Sequence, residues 1–206
     1  MYALVEDNNI TQIITNPKTM VIGDVRYPAK IFQLWSQSEL NAIGIYEVIT
    51  DSSNFKDEKW YINTNESYAF ADNQVTRSWG TATPKAHADT LWTQADSDDG
   101  DLPDDKEVGD VKVEGLKTQL IRTLKSQVAG ILSNTDWYIT RNTEKSTAIP
   151  SSISTYRDAV RTKQAEMETA ITNASDTPAL ETLYTYTTDS DGVQSRPLGE
   201  LPTLES

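Results

Sequence analysis

Apolar residues recur every three to four positions from Leu116 onward. Leu116, Leu120, Leu124, Val128 and the pair Ile131 and Leu132 lay one apolar stripe along a helix. A second stripe runs through Ile153, Tyr156, Val160, Met167, Ala170 and Ile171. Between them, residues 142–148 are polar and end in Ile149-Pro150. Two long amphipathic helices joined this way are expected to lie antiparallel, stripe to stripe, as a helical hairpin over 115–171. The segment holds no catalytic constellation.

The earlier chain alternates instead. Residues 2–5 and 10–14 flank Asp7-Asn8-Asn9 and predict a β-hairpin, because Asn tolerates the positive φ of tight turns. Pro17 and Pro28 bracket an irregular connection. Ser36 and Glu39 have capping-box spacing, Trp35 and Leu40 match a hydrophobic staple, and Gly44 suits a helix end. Strands are expected at 45–49 and 59–63, with a second hairpin of 68–71 and 74–78 across Asp72-Asn73. Pro84 suits the first position of a short helix.

Charge changes the picture after Trp92. Residues 96–110 hold eight acids against Lys106 alone, and a run like this self-repels, so it reads as a linker. Asp176-Thr177-Pro178 predicts a cap and a short helix over 179–184. Tyr184 and Tyr186 continue as a short extended piece, and a flexible tail follows Asp189. The expected fold class is α+β: a small, mostly antiparallel β unit with one short helix (1–95), an acidic linker (96–110), an antiparallel two-helix hairpin (111–174), and a short helix with a tail (175–206).

Composition narrows the chemistry. The chain has 206 residues, 37% of them hydrophobic, and a mean hydropathy of −0.54, which points to linkers or to surface covered by another chain. It lacks Cys, so disulfides and thiolate metal sites are excluded, and its one His, His87, rules out multi-His zinc ligation. Asp96-Ser97-Asp98-Asp99-Gly100-Asp101 imitates the start of a calcium loop, but its sixth position is Asp101 where Gly is required. Glu166 and Glu168 do not face each other on a helix, and Glu181 stands alone. No cofactor is expected. The net charge of −13 disfavours nucleic acid and anionic membranes. No apolar run is long enough to span a bilayer, and the N-terminus lacks a basic flank for secretion. Trp35, Trp60, Trp79 and Trp92 fall in the first half, where they suit a core, an interface or a sugar-binding surface.

One stretch is more specific. Leu132-Ser133-Asn134-Thr135-Asp136-Trp137 is followed by Arg141 and Glu144, then Ile149-Pro150, then Tyr156-Arg157-Asp158-Ala159-Val160-Arg161. This pattern resembles the helical module of bacteriophage tail assembly chaperones and tail-fibre-associated proteins. The N-terminal order, a short hairpin and then a Ser-capped helix ending Ala42-Ile43-Gly44, is similar to small tail proteins of phages of marine bacteria. The resemblance implies a non-enzymatic tail protein, docking through the hairpin onto fibre or baseplate chains or onto a second copy of itself. It would reside in the virion tail, and in the host cytoplasm during assembly. The interaction residues it singles out are Asp136, Trp137, Tyr156, Arg157 and Arg161. Asp136 is placed to accept hydrogen bonds near the helix turn, and Trp137 to pack across the hairpin. Arg157 and Arg161, one turn apart, are within reach of Asp136 or Glu144. Val160 stands where the family has Leu. The long unit ahead of the hairpin is foreign to the chaperone pattern and favours a protein that stays in the particle. A transient assembly chaperone and a Trp-rich carbohydrate-binding receptor module are the alternatives.

Overall fold

Turn residues set the topology of the first unit. In the computed structural model, which describes residues 1–204, Asp7 and Asn8 take φ of 50° and 62° and join β1 (Tyr2–Glu6) to β2 (Asn9–Ile14) in an antiparallel hairpin. Asp72 and Asn73 do the same (51° and 57°) between two later strands, Ser67–Ala71 and Gln74–Ser78.

The connection between Pro17 and Pro28 is not irregular. It contains β3 (Met20–Ile22) and β4 (Val25–Tyr27), paired antiparallel about Gly23, whose φ is +56°. Next come α1 (Ile31–Leu34), a helical turn absent from the sequence reading, and α2 (Gln37–Ala42). The capping box of α2 is fully formed. The Ser36 N–H donates to Glu39 Oε2 at 2.8 Å, and the Glu39 N–H donates to Ser36 Oγ at 3.4 Å. Ser36→Ala should therefore cost about 1 kcal/mol, read as a shift in the urea midpoint at unchanged slope.

β5 (Ile45–Thr50) follows Gly44, whose φ is +81° and where a Cβ would lie 2.6 Å from the Val5 carbonyl oxygen. Only two residues of the strand expected over 59–63 are extended, β6 (Tyr61–Ile62). The Trp60 and Tyr61 amides both donate to Asp57 O, a turn that cuts the strand short. β7 (Ser67–Ala71) and β8 (Gln74–Ser78) complete a five-stranded sheet of order β2-β1-β5-β8-β7. The sheet is mixed, because β5 and β8 pair in parallel, and such a pair needs a long crossover, here 51–73.

Side-chain alternation gives the sheet two buried faces. Leu4, Ile14 and Ile45 pack with Ile31, Phe32 and Leu40 beneath the short helices. Ala3, Val5 and Val75 point the other way and gather Ile10 and Ile13 of β2 together with Tyr68 and Phe70 of β7. Residues from both edge strands thus meet over one face, so the sheet is curled. β9 (Thr83–Pro84) is extended where a helix was expected at Pro84; the φ that the ring fixes suits an edge strand as well as a helix start, so Pro84 alone did not decide between them.

By contacts the chain divides between Thr83 and Pro84, ahead of the acidic run rather than at it. In the second unit β10 (Thr90–Leu91) pairs with β11 (Val111–Val113), so 93–110 leaves and returns at one place instead of bridging two bodies. It also contains a short helix, α3 (Gln94–Asp98), capped by Thr93 and Asp96. Asp96 makes an ion pair with Lys112. The acids could stay in solvent while the backbone closed the loop, which charge counting alone did not reveal.

Four helices follow: α4 (Leu116–Ser133), α5 (Asp136–Lys145), α6 (Ser151–Asn173) and α7 (Thr177–Tyr184). α4 and α6 face each other with opposite chain directions. Lys117 Nζ reaches Thr172 O (2.8 Å), Lys125 pairs with Glu168 (3.6 Å), and Arg157 reaches Leu132 O (2.8 Å). Leu116, Leu124 and Val128 are buried on one helix, and Ile153, Val160, Met167 and Ile171 on the other. The connection between them is not a simple polar loop, since α5 occupies most of it. α7 starts at Asp176, whose carboxylate accepts the Ala179 N–H at 2.8 Å, and its buried Thr177 hydroxyl donates to Lys85 O at 2.6 Å.

The tail is ordered as far as it is described; Glu205 and Ser206 lie outside the described residues. β12 (Thr187–Thr188) pairs with β13 (Gln194–Ser195). The turn rests on Asp189, whose Oδ1 accepts the amides of Asp191 and Val193, both at 2.9 Å, with Gly192 at φ +80°. Leu198 is buried, and its N–H donates to Leu183 O at 3.0 Å. Arg196 lies over the rings of Tyr184 and Tyr186 and pairs with Glu200. A composition read as disorder is here a hairpin turn followed by one apolar anchor.

Candidate interaction site at the joint of three helices

The first long helix ends where the sequence turns from apolar to Ser133-Asn134-Thr135-Asp136. Thr135 leaves helical geometry (φ −115°, ψ 3°) and folds back on the last carbonyl of the stripe. Leu132 O accepts from the Thr135 amide at 3.0 Å, the Thr135 hydroxyl at 2.9 Å and Arg157 Nη1 at 2.8 Å. Helix ends leave such carbonyls unpaired unless something caps them, and here a side chain from α6 does so.

Arg157 is 7% exposed, and Thr135 is 3% exposed. The same Nη1 lies 2.6 Å from Thr135 Oγ1 and 2.9 Å from Asp136 Oδ1. The cation sits at the C-terminus of α4 and the anion in the first turn of α5, each at the helix end whose dipole favours it. Arg157 therefore clamps two helices to a third.

The other expected residues are placed differently. Arg161 pairs with Asp158 on its own helix (3.2 Å, exposed) instead of reaching Asp136 or Glu144. A partner one turn away on the same helix needs less ordering than one across the joint. Tyr156 is half-buried. Trp137 does not pack across the helices: it is 50% exposed, with its ring 3.7 Å from Tyr138 and with the Arg141 guanidinium 4.8 Å above it. Ile139, two positions on and so on another side of the helix, is 40% exposed, and α5 contains no buried residue. Arg141 Nε is buried without a hydrogen-bond partner among the described residues. Arg141 and Thr135 were missed from sequence. The spacing of Trp137 and Arg141, one helical turn, and the stop-and-start run Asn134-Thr135-Asp136 were the available signals.

The tryptophans of the first half separate by environment. Trp60 is core at 3% exposure, Trp35 packs edge-on to Tyr27 (5.8 Å) in the helix-covered cluster, and Trp92 carries Lys112 over its ring. Trp79 meets Phe55 (4.8 Å) at the surface of the first unit. His87 is half-buried between alanines. Among the described residues there is no group of three potential metal ligands, and no helix is long and apolar enough to cross a membrane.

Hydrogen bonds depress several carboxylates. Lys112, then Thr93, hold Asp96 far below the usual carboxylate range; Ser36 lowers Glu39, Ser53 lowers Asp51, and Tyr68 followed by Arg77 lowers Glu66. A group depressed in the folded state stabilises fully above its unfolded pKa, and that contribution is lost as pH falls through the folded value. Melting temperature should be level above about pH 5 and fall between about pH 4 and 2. Asp96→Asn should shrink that fall in a pH series of thermal melts.

Comparison of the chain with protein-family models, with curated proteins and with solved structures finds no match. What is established is an α+β protein with a curled sheet and several helices.

Proposed function

We propose that this chain is a non-enzymatic structural protein of a bacteriophage tail, an adaptor associated with fibre or baseplate chains. In this reading α4 and α6 are the arms of a docking hairpin, and α5 is the surface it presents. One observation carries the reading. α5 buries none of its residues, yet it exposes Trp137, with the Arg141 guanidinium over its ring, and Ile139 on another side of the helix. A ten-residue helix is too short to persist by itself in water, and rings, isoleucine and Arg are the residues that anchor protein interfaces. The residue pattern around Asp136, Trp137 and Arg157 resembles the tail-associated module and supports the same role.

The test is mass spectrometry of purified mature particles, with copy number against the major tail protein. Stoichiometric presence in multiples of three or six supports the adaptor. Absence from particles, with the chain bound to a fibre protein in infected-cell lysate, favours the transient chaperone instead. Trp137→Ala should weaken the fibre or baseplate contact by about 2 kcal/mol, close to thirtyfold in Kd, without lowering stability.

A further inference from the structure

The first unit carries a shallow depression of about 510 Å³ whose walls include Phe55, Trp79, Arg77, Glu66 and Glu58. We propose that it is a carbohydrate-binding site for a neutral hexopyranose unit, with the sugar's C–H face on Phe55 and its hydroxyls on Arg77 and Glu66. The proposal is independent of α5 and of the tail-adaptor reading.

Phe55 is the first reason. It is 41% exposed on a loop, touching Trp79 edge-on and leaving the rest of its ring open. The loop nevertheless holds it rigidly. The Phe55 amide donates to Ser52 O at 3.0 Å, and the Ser53 amide to Asp51 Oδ1 at 2.9 Å. Asn63 closes the far side, accepting from the Lys56 amide (2.9 Å) and donating to the Lys56 carbonyl (2.8 Å). Asn54 ties the loop to Trp79 O at 3.1 Å. Preorganisation of this kind lowers the ordering cost of binding.

The polar rim is the second reason. Trp79 stands tilted at 63° to Phe55, so the two rings form a corner rather than a stack. The Arg77 guanidinium lies 4.5 Å from the Trp79 ring, and its Nε donates to Glu66 Oε1 at 2.9 Å. The Tyr68 hydroxyl donates to the same oxygen at 2.5 Å. A fixed donor fork and a fixed, ionised acceptor thus adjoin an open apolar ring. A ligand matching both has one apolar face and a rim of hydroxyls that donate and accept. The Arg77 charge is already paired with Glu66, so it has little attraction left for a phosphate or carboxylate, which disfavours nucleotides and acidic sugars. The polar rim would leave a purely aliphatic peptide with unpaired groups to desolvate.

The full chain should be titrated with neutral di- to tetrasaccharides of glucose, galactose and mannose. Binding is read from tryptophan fluorescence and from indole N–H shifts in NMR spectra. Saturable binding with Kd of order 1 mM or tighter is expected. Phe55→Ala should weaken it by about tenfold while the circular dichroism remains that of the folded chain, and Glu66→Gln should weaken it while leaving the Phe55 ring in place. No saturable binding to any neutral sugar, binding confined to acidic sugars, or full affinity in Phe55→Ala would each overturn the proposal.

Discussion

Arg157→Met should lower the stability of the helical unit by about 3 kcal/mol, since hydrogen bonds to a buried charged group carry roughly 1.5–3 kcal/mol each. Methionine keeps the apolar stem but removes the donor that serves both Leu132 O and Thr135 Oγ1. Thr135 is buried, so its hydroxyl then loses a partner that water does not easily replace. At about 2–4 °C per kcal/mol, the melting temperature followed by helical circular dichroism should fall by roughly 6–12 °C. Arg157→Lys should recover only part of this, because one ammonium does not reproduce a planar fork. Asp136→Asn should cost less than about 1 kcal/mol, because its side chain is 59% exposed and water screens the pair. If Asp136→Asn proved as damaging as Arg157→Met, the ion pair and not the carbonyl cap would be the source of stability.

Gly115→Ala should be comparably damaging, at about 3 kcal/mol, although alanine is the better helix former. Gly115 precedes α4 with φ −79°, so its conformation is open to any residue. The obstacle is space: a Cβ would lie 2.3 Å from the Ala88 carbonyl carbon and oxygen. The chain crosses here because 86–89 caps the helix. The amides of Leu116 and Lys117 donate to Ala86 O and His87 O, both at 3.0 Å, and Asp89 accepts from the Gly115 amide (2.7 Å) and the Thr118 hydroxyl (2.8 Å). Displacing that crossing strips several helix-start donors at once. Gly130→Ala is the control. It lies inside α4 with nothing within 4 Å of a new Cβ, and should stabilise by about 0.5–1 kcal/mol. Urea titration of both variants reads the two signs directly.

These two sites show what was and was not legible in the sequence. The α+β class, the turns at Asp7-Asn8 and Asp72-Asn73, and the box of Ser36 and Glu39 were readable because each is decided within a few residues. The parallel pairing of β5 with β8 was not, because it joins strands across a crossover that carries no periodic signal. The crowding at Gly115 depends on Ala88, far away in sequence, so the glycine looked like a plain helix boundary. At the joint, the partnership of Arg157 with Asp136 was visible as opposite charges near a helix turn. The outward direction of Trp137 was not: an aromatic residue next to an apolar stripe normally joins it, and only the break at Thr135 rotates it away.

The acidic excursion has a consequence for how this protein tolerates change. Its two ends are fastened to each other: the Trp92 amide donates to Asp110 O at 2.8 Å, and the Gly109 amide donates to Trp92 O at 2.9 Å. Whatever lies between those bonds has its endpoints fixed, and doubling the length of such a loop costs only about 0.6 kcal/mol. Residues 103–106, beyond the end of α3, are thus a natural insertion point, where a reporter domain or an epitope can be spliced while α4 still begins at the same place.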